Sequence, residues 1–244
     1  MINHRPRFAC LSLLAMLAAT SAAHAYDFNS LSLLASQAEF KQVAEDLSAT
    51  LAYKPMTSAE GLGITGFDIN ASVGATSLQS RDVIKRAAGN RDVPSALPTA
   101  TVRVQKGLPL DIDIGAAYTV IPGSSASALS GEVKWAFIPG GTVTPAVAVR
   151  AFYTSMSGLG DVKLHSQGID VSVSKGFALV TPYAGVGLVA SKASTESGQW
   201  ASESYTQGRV FAGVNVNLAV VNLGVEADET GKDTTLGVKL GWRF

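Results

Sequence analysis

From Ile64 to its last residue the chain alternates apolar and polar side chains with a period of two, segment after segment. That period belongs to strands with one apolar and one wet face. In "FDINASVGA", Phe67, Ile69, Ala71, Val73 and Ala75 oppose Asp68, Asn70, Ser72 and Gly74. "LDIDIGAAYTV" opposes Leu110, Ile112, Ile114, Ala116, Tyr118 and Val120 to Asp111, Asp113, Gly115, Ala117 and Thr119. "GEVKWAF", "TVTPAVAVRAFY", "GRVFAGVNVNL", "VNLGVEAD" and the terminal "TTLGVKLGWRF" read the same way. A soluble sandwich would turn the apolar face inward. A membrane barrel inverts it, with lipid outside and a polar lumen.

Strand length and connectors separate the two. The alternation predicts ten strands, near 64–77, 97–106, 109–121, 127–138, 142–155, 162–175, 178–191, 205–218, 220–229 and 233–244. Many reach the length a tilted strand needs to cross a bilayer, which exceeds the usual strand of soluble proteins. The connectors "KGLP", "IPGG", "KGFA" and "LAV" are tight, while "LQSRDVIKRAAGNRDVPSA" and "KASTESGQWASES" are long and polar. Short turns at one rim, longer loops at the other and an even strand count are features of bacterial outer-membrane barrels. The expected fold is therefore an all-β, antiparallel transmembrane β-barrel of about ten strands, with both barrel ends at the short-turn, periplasmic rim. The terminal strand must pair with the first, because a barrel has no free edge.

The N-terminus has a different character. Arg5 and Arg7, then "FACLSLLAMLAA", then "SAAHA" supply the charged, apolar and small-residue zones of a signal peptide cut after Ala25. Its removal takes away Cys10, the only cysteine, along with His4 and His24, and leaves His165 as the only histidine. It leaves 17 basic against 19 acidic residues, a net charge of −2, and no basic field suited to nucleic acid. The organisation expected is signal peptide 1–25, helix and linker 26–60, and barrel 61–244.

Over residues 29–50, Leu33, Phe40, Ala44, Leu47 and Leu51 recur at helical spacing, with Lys41, Glu45 and Asp46 elsewhere on the wheel. Asn29 or Ser30 is the expected N-cap, and Lys54-Pro55 ends the pattern. Three readings fit: a helix at the periplasmic mouth or on the inner-leaflet surface, a plug in the lumen, or, for "DLSATLAYKPM", a further strand that would break the even count. The apolar side chains favour the mouth, because a polar lumen offers them poor contacts.

By alternation the lumen receives Asp68, Arg103, Asp111, Asp113, Glu132, Lys134, Arg150, Asp170, Arg209, Glu226, Lys239 and Arg243. Charges of both signs either pair across the lumen and stiffen it, or form a constriction that selects solutes. His165, Ser166 and Asp170 hold the inventory of a catalytic triad. The alternation falters at Gln167-Gly168, though, which predicts a bulge near the outer rim and an ordinary polar role for the histidine. No catalytic constellation, metal cluster or cofactor motif emerges, so no enzyme activity and no cofactor is expected.

The stretches "EGLGITGFDINASV", "QKGLPLDIDIGAAY", "SVSKGFALVTPYAGVGLVAS" and "LGVKLGWRF" resemble those of small outer-membrane β-barrel proteins of Gram-negative bacteria. More distantly, "KGLP" resembles the corresponding turn of fatty-acid-transporter-like barrels. The resemblance covers roughly 60–244 and implies fold and location in the outer membrane; it carries no catalytic residue. It also implies that Leu240, Trp242 and Phe244 form the C-terminal signal read by the barrel-assembly machinery. The partners expected are thus outer-membrane lipid and that machinery. The functions expected are a narrow or gated channel for small solutes, or a structural or surface-interaction barrel with a closed lumen. An outer-membrane protease or lipid-A-modifying enzyme fits less well.

Overall fold

The computed structural model describes residues 30–90 and 93–244. The expected signal peptide and its cut after Ala25 lie outside the described residues. Ten strands form: β1 Phe67–Ser77, β2 Ala96–Leu108, β3 Ile112–Val120, β4 Ser127–Ile138, β5 Ala146–Ser157, β6 Val162–Ser174, β7 Val180–Thr195, β8 Glu203–Leu218, β9 Val221–Thr230 and β10 Asp233–Arg243. Each pairs antiparallel with its sequence neighbours, and β1 pairs with β10, so the sheet closes into a barrel. The seam runs in unbroken register from Asp68↔Arg243 to Ser77↔Thr234. Beyond it, Phe67 and Phe244 exchange two backbone hydrogen bonds, 2.6 and 3.0 Å long.

The wall is inside out relative to a soluble protein. Leu129, Val186, Val210 and Leu236 point outward and are 61%, 58%, 60% and 62% exposed, whereas Arg103, Arg150 and Arg209 point inward and are 2%, 1% and 2% exposed. At about 3.3 Å per residue and a tilt near 40°, an 11-residue strand covers about 28 Å, close to the hydrocarbon thickness of a bilayer. Among the described residues no helix is long and apolar enough to cross a membrane.

Two connectors depart from the expected lengths. β7 extends to Thr195, so the strand takes in part of the sequence read as a long loop. β5 starts only at Ala146, leaving seven residues, 139–145, in a turn expected to be tight. The rim carrying the 78–95 connector is called the far rim below, and the rim holding both barrel ends the near rim. α2 (Arg81–Ala87) lies in that far-rim connector.

Several inward positions are glycine, and each of three is covered by an aromatic ring from the residue directly opposite on the next strand. The pairs are Phe152↔Gly168, Phe211↔Gly185 and Tyr183↔Gly213. A Cβ at these glycines would sit 2.2, 2.3 and 2.4 Å from the ring atoms. The rings therefore lie flat against the wall on the β5–β8 side, leaving the axis free for the N-terminal segment.

That segment occupies the lumen. α1 (Gln37–Leu51) is capped by Ser36, whose Oγ accepts from the Glu39 N–H at 3.3 Å. Glu39 reaches back to accept from the Ala35 N–H at 2.8 Å, one residue before the cap, in a variant of the capping box. The expected cap at Asn29 or Ser30 is corrected: Ser30 precedes only a short 3-10 turn, Leu31–Leu33. The start of α1 is fastened to the far rim by Gln37, which donates to the Ala201 carbonyl at 2.9 Å, and by an ion pair between Glu39 and Arg86. Phe40 stacks on Trp200 with ring centroids 6.3 Å apart.

The helix lies inside the wall, and the preference for the periplasmic mouth is overturned. Its apolar face finds the contacts that a uniformly polar lumen would lack. Phe40, Val43, Leu47 and Leu51 pack with Leu97, Ile121, Leu159, Leu164 and Ile84, all buried. The lumen thus has two halves: an apolar far half that receives α1, and a charged near half.

Candidate functional site: the seat of the lumen segment

Beyond Leu51 the chain runs through the charged half of the lumen to β1 without joining the sheet. An extended segment buried this way carries peptide groups that need partners. The wall supplies them from charged side chains. Arg209 Nη1 donates to the Tyr53 carbonyl at 2.7 Å, and Arg103 donates to the Lys54 carbonyl. Lys134 Nζ donates to the carbonyls of Ser58 at 3.3 Å and Glu60 at 2.7 Å. In the opposite sense, the Met56 N–H donates to Glu226 at 2.8 Å, Ala59 N–H to Ser174 Oγ at 3.0 Å, and Leu62 N–H to Asp113 at 3.0 Å. Arg150 reaches the Thr57 hydroxyl at 3.0 Å.

The same charges neutralise one another around the wall. Lys134 pairs with Asp113 at 2.8 Å, and Arg150 with Glu132 at 2.7 Å and Asp170 at 3.5 Å. Arg209 pairs with Asp228 and, at 3.9 Å, with Asp170; Lys54, from the segment itself, completes the Asp228 pair at 2.6 Å. Arg103 lies over the Tyr53 ring at 5.1 Å, and Arg209 over Phe211 at 5.1 Å and Phe152 at 5.7 Å. Lys54, Arg103, Lys134, Arg150 and Arg209 each hold a carboxylate, a backbone carbonyl or both, as burial demands, while Lys239 donates to the Asn215 side-chain carbonyl at 3.1 Å.

Of the twelve residues placed in the lumen by alternation, ten are buried inside the wall: Asp68, Arg103, Asp113, Glu132, Lys134, Arg150, Asp170, Arg209, Glu226 and Lys239. Arg243 also faces inward, half-buried at the near rim, and pairs with Asp68 at 2.9 Å. Asp111 is the exception. Leu110 and Asp111 take left-handed backbone angles, φ 65° and 56°, which end the alternation one residue before β3 and leave Asp111 beside Gly61 on the near-rim turn. Leu240, Trp242 and Phe244 face outward; Trp242 is 53% and Phe244 66% exposed.

Sequence reasoning missed the partners that turn the wall charges into a seat. Asp228 falls on the same alternation as Glu226, and that signal was available. Lys54, Tyr53 and Tyr183 gave no periodic signal; Tyr183 donates to Glu226 at 2.9 Å.

The triad inventory comes apart across the wall. His165 points outward while Ser166 and Asp170 are buried inside, so the three cannot meet. The expected bulge is also absent, for β6 keeps continuous register with β5 and β7 through Gln167 and Gly168. Phe152 covering Gly168 explains the apparent lapse: the glycine is where an inward ring needs room. The register shift instead lies between Trp135 and Ile138 on β4.

A cavity of about 30 Å³ lies between the segment and the β9–β10–β1–β2–β3 wall. Its wall side carries hydroxyls and glycines, among them Ser72, Gly74, Thr99 and Gly237, together with Arg103, Glu226 and Asp228.

No family model matches the chain, and no curated protein matches it. Among solved structures, the N-terminal β-barrel domain of Pseudomonas aeruginosa OprF is 13% identical, over 75% of this chain and 99% of that one, with a TM-score of 0.37. Neisserial surface protein A is 13% identical over 73% and 96%, with a TM-score of 0.32. The KdgM porin in complex with disordered oligogalacturonate is 5% identical over 72% and 99%, with a TM-score of 0.39. The barrel assignment rests on this chain's own strand pairing.

Proposed function

We propose that the protein is an outer-membrane barrel whose lumen is closed at rest by its own residues 37–62, with its loops and outer wall as the working surfaces. The observation that carries this reading is the seat: the wall charges are used on the backbone of the threaded segment, which runs through the charged half of the lumen. An open constriction would instead present those charges to water and solute. The outward apolar band and strands long enough for a bilayer support the membrane location.

Conductance in a planar bilayer tests it. The full barrel gives no steady current, whereas a chain lacking residues 30–62 still closes its ten strands and conducts. A steady open current from the intact protein would overturn the reading. A gated channel is the second reading, favoured by the cavity side of the lumen. There the segment faces small, hydroxylated and charged residues, while on the β5–β8 side Tyr53 packs on Phe152 with ring centroids 5.7 Å apart. A channel of this kind shows brief openings that disappear when the segment is cross-linked to β1.

A further inference from the structure

Outward positions along the far third of the barrel are mostly small and uncharged. They include Ser77 on β1, Ala96 on β2, Ser155 and Ser157 on β5, Ser204 and Thr206 on β8, and Thr234 on β10, with the acid Glu229 on β9 a charged exception. β6 and β7 differ. Their outward positions there hold Lys163, His165 and Lys192, all exposed. His165 lies directly opposite Lys192, and Lys163 opposite Ser194. Lys163 and Lys192 are thus diagonal neighbours, with backbones about 7–8 Å apart. The Tyr153 ring flanks His165 with centroids 6.3 Å apart.

These ammonium groups are held loosely, unlike those of the near rim. There Lys106 donates to the carbonyls of Ile64 and Gly66, at 2.6 and 3.2 Å, and Lys175 donates to those of Gly141 and Thr142, both at 2.8 Å. Lys192 has no ion pair among the described residues. Lys163 pairs with Glu196 at 3.1 Å, but the two side chains are 68% and 61% exposed, and such a pair contributes little and opens readily. Below the cationic positions, past Gln167 on β6 and Ala190 on β7, the same strands turn apolar, with Ile169 and Val171 on β6 and Val186 and Leu188 on β7 all exposed. Cations above an apolar track match a lipid with a phosphate in its headgroup and acyl chains beneath it.

We propose that the outward face of β6 and β7 binds one phosphate-bearing membrane lipid, its phosphate between Lys163 and Lys192 and its acyl chains along Ile169, Val171, Val186 and Leu188. The inference rests on the barrel being a membrane barrel. It gives His165 a place at the headgroup boundary, stacked beside Tyr153, rather than in a catalytic site.

The test uses the full chain reconstituted into phosphatidylcholine nanodiscs with a minor fraction of bisphosphorylated lipid A, and native mass spectrometry to count retained lipid. A parallel sample uses the same lipid A with its phosphates removed, and a third adds inorganic phosphate as competitor. The intact protein retains the phosphorylated lipid selectively. The double variant Lys163→Ala/Lys192→Ala, still folded by its gel shift, retains it on the order of tenfold less, or weaker still. Free phosphate alone does not displace the lipid, because the acyl track contributes to binding. Insertion with equal retention of both lipids, or by both proteins, overturns this inference and leaves the barrel reading standing. Failure of the chain to enter the nanodisc overturns both.

Discussion

Arg209 on β8 donates to the backbone carbonyl of Tyr53 at 2.7 Å while pairing through Nε with Asp228 on β9. One side chain thus ties two neighbouring strands to the threaded segment. It is also sandwiched near Phe152 and Phe211, so its packing and its charge act at the same place. Arg209→Met keeps much of the packing and removes the charge. Asp228 then retains Lys54 and Asp170 retains Arg150, so neither acid is left wholly unpaired. The expected loss is about 3 kcal/mol, at the low end for a broken buried pair. The temperature at which the folded band disappears in detergent should fall by roughly 10 °C. A variant as heat-resistant as the parent would show that the pair is not needed for the seat.

The direction of the thread gives a topological prediction. The described chain starts at the far rim, where the Ser30 N–H donates to the Ala87 carbonyl at 3.0 Å, and it reaches β1 at the near rim. If the barrel ends lie in the periplasm, as the connector lengths predict, Ser30 lies at the cell surface. An epitope placed immediately before Ser30 should bind antibody on intact cells, and one following Phe244 should not. Binding at both sites, or at neither, would mean that the segment is not threaded from rim to rim, and the reverse pattern would mean that the barrel sits inverted in the membrane.

How far the sequence announces this arrangement depends on whether a residue obeys a period. Wall residues do, because the pleat forces side chains to alternate; ten strands and the inward charges follow from that alone. Asp111 fails because two left-handed residues precede β3, and no period-two reading detects them. The lumen segment is harder. Its helix is visible in Phe40, Leu47 and Leu51, but its location depends on Leu97, Ile121, Leu159 and Leu164, which line up inside the barrel only after it closes. Reading the lumen as uniformly polar put the helix outside. Residues 52–62 have no period at all, since their partners are wall side chains reaching peptide groups, a pattern that leaves no mark in the segment's own sequence.

Asp46 of α1 and Asp233 at the start of β10 make the helix seat sensitive to pH. Both are buried, and they accept from adjacent amides: Asp46 from the Ser80 N–H at 2.9 Å, Asp233 from the Gln79 N–H at 3.0 Å. Burial, with the charge of Asp233 next, pushes the Asp46 carboxyl up to about 7; Glu45 adds to the shift. A folded-state value above the ordinary 3.8 means that the native protein holds a proton the unfolded chain has lost between about pH 4 and pH 7. Stability is therefore highest below that window and falls as pH rises through it, by a few kcal/mol at most. Protease cleavage within α1 should be faster at pH 8 than at pH 5. Asp46→Asn should flatten this dependence, and an unchanged pH profile in that variant would remove the carboxyl pair as its cause.

The last residue carries both the seam and, by the sequence resemblance, the assembly signal. Phe244 exchanges two backbone hydrogen bonds with Phe67, and their rings lie 5.9 Å apart on the outer wall. Deleting it removes one rung from a seam that keeps ten further register pairs, so the finished barrel should lose little heat resistance. Recognition by an assembly machinery is a separate matter, since it acts on the strand before the seam exists. The deletion should therefore lower the amount of barrel recovered in the outer membrane severalfold, while the molecules that do assemble unfold near the parent temperature. A second variant, Phe244→Tyr, keeps the aromatic terminus and should restore the yield. Normal yield from the deletion would discard the assembly role, and a large fall in heat resistance with normal yield would make Phe244 a seam residue alone.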